Sequence, residues 1–112
     1  MIPGWIGVDL DCTLAVYHPG KHHEIGAPIQ PMVELVKTWL ARGVEVRIFT
    51  ARAAHAVEHE LLAIEDWCQE HIGQVLPITC TKDFSMVALF DDRVVQVEPN
   101  TGKLLGQSPY LR

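Results

Sequence analysis

Four carboxylates, one hydroxyl and one ammonium stand where they could act together. Asp9 and Asp11 flank Leu10, Thr50 closes Ile48-Phe49-Thr50, Lys82 follows Thr81, and Asp91 and Asp92 are adjacent. Like charges a few ångströms apart raise one another's pKa unless a cation joins them. Oxygen-only ligands suit a hard divalent ion, Mg²⁺ first. A hydroxyl donor and a mobile ammonium fit a phosphate group. Together the groups describe phosphoryl chemistry through an aspartyl-phosphate.

Elements must carry these residues to one place. The run Trp5 to Leu10 is short, apolar and β-branched, and reads as a buried strand ending in Asp9-Leu10-Asp11. Residues 12–30 contain Pro19, Gly20, Gly26 and Pro28, the marks of a loop or short hairpin. Pro31 opens a helix in which Met32, Leu35, Val36, Trp39 and Leu40 recur at helical spacing, and Gly43 ends it. Val44 to Phe49 predicts a second strand, closing on Thr50. Ala53 to Ile72 reads as one helix, with Val57, Leu61, Ile64 and Cys68 on one face and Gly73 as its stop. Val75 to Thr79 is a third strand, which Pro77 shortens or confines to an edge. Met86 to Phe90 is a fourth, closing on Asp91-Asp92, and Val94 to Glu98 a fifth. A turn at 99–102 and a return strand lead into a loose tail.

This alternation predicts an α/β fold with a mainly parallel sheet of about five strands flanked by helices. Ligands of such sheets bind outside the carboxyl ends of the strands. Asp9 and Asp11, Thr50, Lys82, and Asp91 with Asp92 follow strands one to four in that order. One domain spans 1–112, with the motif-bearing core at 4–98 and a hairpin and tail at 99–112.

The series Asp9-Leu10-Asp11-Cys12-Thr13-Leu14, Thr50 in Ile48-Phe49-Thr50-Ala51-Arg52, Lys82 in Thr81-Lys82-Asp83, and Asp91-Asp92 after Leu89-Phe90 resembles the four motifs of the haloacid-dehalogenase-like phosphohydrolases. The resemblance implies a Rossmann-like core and a Mg²⁺-dependent phosphatase acting on a phosphomonoester. Asp9 would be the nucleophile, and Asp11 would protonate the leaving oxygen and later activate water. Asp9, the Asp11 main-chain carbonyl, Asp91 and Asp92 would bind Mg²⁺. Thr50 and Lys82, with Leu10 and Ala51 beside the motif residues, would bind phosphate, and Thr13 would shape the loop after the nucleophile.

Two departures stand out. Position 12 is Cys where the family usually has Gly, which puts a thiol beside the nucleophile and offers a site sensitive to oxidation. The link from strand three to strand four is too short for a helical crossover. Extended, it reaches about 23 Å, enough for three strand spacings of ~14 to 15 Å in all. The topology survives, and the placement of Lys82 becomes the open point. Residues 14–30 and 51–81 leave no room for a cap domain, so the site is open. It would accept a macromolecular end or a large phosphoester, or a second copy of the chain would cover it.

Composition narrows the alternatives. The chain has 112 residues, 48% of them hydrophobic, enough for one domain with a core and against disorder. Net charge is −5, from 9 Lys plus Arg and 14 Asp plus Glu, with no basic stripe of the kind a duplex-DNA binder shows. No apolar run approaches the ~20 residues that span a bilayer. The cysteines Cys12, Cys68 and Cys80 are odd in number and unpaired in spacing, which argues against a disulfide framework or a zinc ribbon. With no basic stretch or cleavage signal in residues 1–10, the expected compartment is the cytoplasm.

The remaining polar residues have plainer readings. His18, His22 and His23 lie in the loop near the substrate's entry and read as solvated. His55 and His59, at i and i+4, could face one metal from a helix, but no third ligand accompanies them. Arg52 and Arg93, each beside a motif, are candidates for meeting substrate charge. Trp39 and Trp67 fit the core, and Trp5 the lower end of the sheet. Two rivals keep the same motifs. One is a phosphotransferase with the same covalent step, the other a non-catalytic metal- and phosphate-binding regulatory module.

Overall fold

The computed structural model describes residues 3–21, 24–55 and 57–111. His22 and His23 lie outside the described residues. The element order is β1 (Trp5–Val8), α1 (Gln30–Ala41), β2 (Glu45–Phe49), a 3-10 turn (Ala51–Ala53), α2 (Glu58–His71), β3 (Ile78–Thr79) and β4 (Met86–Phe90). The strands form one all-parallel sheet in the order β3-β2-β1-β4. This is the α/β fold the alternation predicts, with four strands, two α-helices and no cap among the described residues.

Strand direction decides where the helices lie. From β1 through β2 to β3 the chain steps one way across the sheet. Right-handed crossovers therefore put α1 and α2 on one face. The core confirms it: Ile6 and Val8 of β1 and Val46 and Ile48 of β2 pack with Val33 and Val36 of α1 and with Ile64, Trp67 and Cys68 of α2. Trp39 of α1 adds a tilted ring contact with Phe90 of β4, centroids 4.8 Å apart.

The step from β3 to β4 reverses direction, and its link crosses the opposite face. Strand residues alternate sides, so Trp5, Gly7, Arg47 and Phe49 point there. In place of a helix this face carries the indole of Trp5, which lies over Gly7, where a Cβ would stand 3.1 Å from the ring. Trp5 is fully buried, and its Nε1 donates to Asp83 Oδ1 of the link at 2.9 Å. Arg47 stacks over the same ring at 4.4 Å from its centroid. The rest is open: Val87 is 50% exposed and Phe84 fully so.

Three expectations need correcting. Val94 to Glu98 does not join the sheet. Its hydrogen bonds go to the return segment, through Glu98 N to Lys103 O and Leu105 N to Gln96 O, so it closes a small hairpin with a Val97–Leu104 bridge. Val94 and Val97 are exposed, and the segment has no buried face to dock. Helix α2 starts later than its apolar spacing suggests. Thr50 caps a separate 3-10 turn, and Val57, half exposed, stands as the N-cap of α2 rather than on its inner face. His55 therefore precedes the helix that carries His59, and the i, i+4 arrangement does not form.

Candidate functional site

The reversal of strand order puts a crevice between the carboxyl ends of β1 and β4, where parallel sheets bind their ligands. Asp9 leaves β1 there, and its N–H donates to the carbonyl of Phe90 on β4 at 2.8 Å. Asp91 and Asp92 leave β4 at the same level. One carboxylate oxygen from each of Asp9, Asp91 and Asp92 lies within 4.8 Å of the others. Thr13 Oγ1 is 3.4 Å from both Asp9 Oδ2 and Asp92 Oδ1.

The segment after β1 folds into a single tight turn. Leu14 N and Ala15 N both donate to Leu10 O, and Cys12 N donates to Ala15 O. Buried Leu10, Leu14 and Ala15 anchor it. Cys12 sits at φ +71, in the left-handed region that favours glycine. Beyond the turn, residues 14–16 run antiparallel to 27–29, through Val16 N to Ala27 O and Ile29 N to Leu14 O. Trp67 of α2 ties this hairpin down by donating its Nε1 to Gly26 O at 2.9 Å.

Thr50 is 2% exposed, and its hydroxyl oxygen accepts the N–H of Arg52 at 3.1 Å. The capping role leaves the hydroxyl proton available to a phosphate oxygen. The same turn aims Arg52 at Asp11. Arg52 Nε reaches Asp11 Oδ2 at 2.7 Å and its Nη2 reaches Asp11 Oδ1 at 2.8 Å. Arg52, read from sequence as meeting substrate charge, is thus spent on a carboxylate of the chain itself. Asp11 in turn stands apart from the cluster of Asp9, Asp91 and Asp92.

A cavity of about 600 Å³ opens over these groups, lined by Asp9, Asp11, Asp91 and Asp92 together with Tyr17, Phe49, Thr50 and Ala51. Among the described residues Arg93 is the one basic side chain in its lining. Lys82 is exposed on the link and is not part of that lining, and Leu10 is turned into the core. His18 is exposed and His59 lies on the outer face of α2.

Charge crowding has a measurable sign. Burial, then the charge of Asp91, then the hydrogen bond and charge of Asp92, raise Asp9 to about 8. Asp92 moves the other way: burial pushes it up, but hydrogen bonds from Tyr110 and Asp9 outweigh that and hold it below its ordinary value. The Cys12 thiol is pushed up by burial and by Asp92, Asp11 and Asp9, which opposes the thiolate that oxidation requires. Without a cation, Asp9 keeps a proton at neutral pH. An all-oxygen triad that must hold a proton to tolerate its own charge fits a hard divalent ion.

One contact had no warning in the sequence. Tyr110, in the tail, donates its hydroxyl to Asp92 Oδ2 at 2.8 Å, and Arg93 lies 4.8 Å over its ring. Nothing in residue spacing links a tail tyrosine to a strand-end acid. No helix among the described residues is long and apolar enough to cross a membrane. Comparisons with family models, with curated proteins and with solved structures give no match for this chain.

Proposed function

We propose that this chain is a Mg²⁺-dependent phosphatase that cleaves a phosphomonoester through an aspartyl-phosphate on Asp9, in the manner of the haloacid-dehalogenase-like phosphohydrolases its motifs resemble. The supporting observation is the convergence of Asp9, Asp91 and Asp92 at the point where the strand order reverses. These three carboxylates, with the main-chain carbonyl of Asp11, would hold the ion. Held there, Mg²⁺ would supply positive charge against the phosphoryl oxygens and favour the ionised form of Asp9.

The chain's own groups then divide the work. Asp9, fixed by its N–H to β4, presents a carboxylate oxygen to phosphorus. Thr50 donates its hydroxyl to a phosphoryl oxygen, and the main chain at Leu10 and Ala51 lies beside the two motif residues. Asp11 hands a proton to the leaving oxygen and takes one from water in the second step. Thr13 bridges Asp9 and Asp92 and keeps the turn closed. Arg93 meets substrate charge at the cavity wall, and the family resemblance assigns Lys82 the role of offsetting charge on the nucleophile and phosphate. The substrate is a small phosphoester or a phosphorylated macromolecular end.

A panel of mononucleotides, sugar phosphates, aryl phosphates and phosphorylated nucleic-acid ends tests this with Mg²⁺. Phosphate release should fall by at least about 10³-fold in Asp9→Asn and by roughly 10² or more in Asp11→Asn. Lys82 outside the cavity lining favours one other reading, a metal- and phosphate-binding module without turnover. Binding of beryllofluoride with silence across the panel would select it.

A further inference from the structure

The bidentate grip of Arg52 on Asp11 has a consequence for the reaction cycle. Arg52 is held at three points: its main-chain N–H on Thr50 Oγ1, its fork on both oxygens of Asp11, and Nη2 on the Glu24 carbonyl at 2.8 Å. Its side chain is 15% exposed and that of Asp11 24%. Asp11 lines the cavity and Arg52 does not, so the guanidinium reaches the carboxylate from outside the reaction space. A planar fork on two oxygens fixes the plane of a carboxylate as well as its position. The Glu24 contact ties that plane to the segment leading into the 27–29 strand of the hairpin, while Thr50 ties it to the end of β2.

We propose that Arg52 is a positioning residue for the second half of the cycle, orienting Asp11 to receive the proton of the attacking water. The inference rests on the phosphatase reading above. In that half-reaction the water oxygen bonds to phosphorus, its proton passes to the Asp11 carboxylate, and the bond between phosphorus and Asp9 Oδ breaks. Inorganic phosphate leaves and Asp9 returns as a carboxylate. A carboxylate gripped by its two oxygens keeps outward lone pairs for that proton. Formation of the aspartyl-phosphate from a substrate with a good leaving group makes no demand on Asp11, so Arg52 should matter little there.

Rapid-mixing kinetics with nitrophenyl phosphate and Mg²⁺ separates the halves, because kcat/KM reports steps up to phosphoenzyme formation and kcat includes its hydrolysis. Arg52→Met is expected to lower kcat by about 10- to 100-fold with kcat/KM within roughly threefold. It should show a burst near one equivalent of nitrophenol and a phosphorylated protein trapped by acid quench. Arg52→Lys, which offers a point donor in place of a fork, should fall between it and the wild type, and stands in if Arg52→Met does not fold. An equal fall in kcat and kcat/KM without a burst overturns the proposal, as does an unchanged kcat. Absence of any Asp9-dependent turnover in the wild type overturns the phosphatase reading itself.

Discussion

Asp9 and Cys12 each carry a local cost that a titration or a substitution can expose. In the unfolded chain Asp9 ionises near its ordinary value of 3.8, whereas in the fold it holds its proton to about 8. Between those values the folded state binds a proton the unfolded chain has released. Stability of the metal-free protein therefore falls as pH rises through that window and levels off above it. Asp92, held low, acts with the opposite sign and only under more acid conditions. In chelator, the melting midpoint should drop between about pH 5 and about pH 8.5 by more than about 4 °C, the shift that ~1 kcal/mol makes in a domain of this size. Asp9→Asn should remove most of the drop. A mutant that keeps the full slope would mean that the proton sits elsewhere. Cys12 adopts φ +71 with a side chain that is exposed. Cys12→Gly should stabilise the fold by about 1 kcal/mol, while Cys12→Ala, which keeps a Cβ, should not. Urea midpoints for the pair decide it. That position was marked in the sequence as the departure from the family pattern. Its physical reason, a backbone that prefers glycine, needed the dihedral angle.

The hairpin over the site depends on close approach. At Gly26 a Cβ would meet Val16 O at 1.9 Å, and the Gly26 carbonyl accepts the Trp67 indole. Gly26→Ala should cost about 1–3 kcal/mol, read as a lower urea midpoint with an unchanged slope and a shift in tryptophan emission. At this scale the strands were the most legible part of the sequence. Val44 to Phe49 sets Val44, Val46 and Ile48 in alternation with charged Glu45 and Arg47, and Met86 to Phe90 is an apolar run; they end in a hydroxyl and in acids, patterns that burial of one or both faces of a sheet imposes. The helices were legible in kind but less so in their limits. Apolar spacing carries on from Ala53 into α2, yet the cap on Thr50 starts a separate turn first. The segment at Val94 to Glu98 alternates like a strand, and its partner turned out to be its own return. The partners of Arg52 and Tyr110 could not be read at all. Each depends on where a turn or a tail comes to rest, not on the residue's own neighbours.

Across the whole molecule, the helices cover one face of the sheet and a six-residue link crosses the other. Val46 is 1% exposed under the helices, while Val87 is 50% exposed on β4. Val46→Lys should abolish folding, since it buries a charge without a partner. Val87→Lys should change stability by no more than about 0.5 kcal/mol. Circular dichroism melts of the two variants measure how one-sided the core is, and a large loss at Val87 would mean that the open face is covered in solution. The order β3-β2-β1-β4 carries a consequence in time as well as in space. Asp9 follows the first strand and Asp91 with Asp92 the last, so the three carboxylates meet only when β1 pairs with β4, the two strands furthest apart in the sequence. Pairing over such a separation is non-local and slow to form. An ion that needs all three carboxylates has no site before that pairing. It would act as a latch on the finished molecule, slowing its opening and leaving the speed of its assembly nearly unchanged.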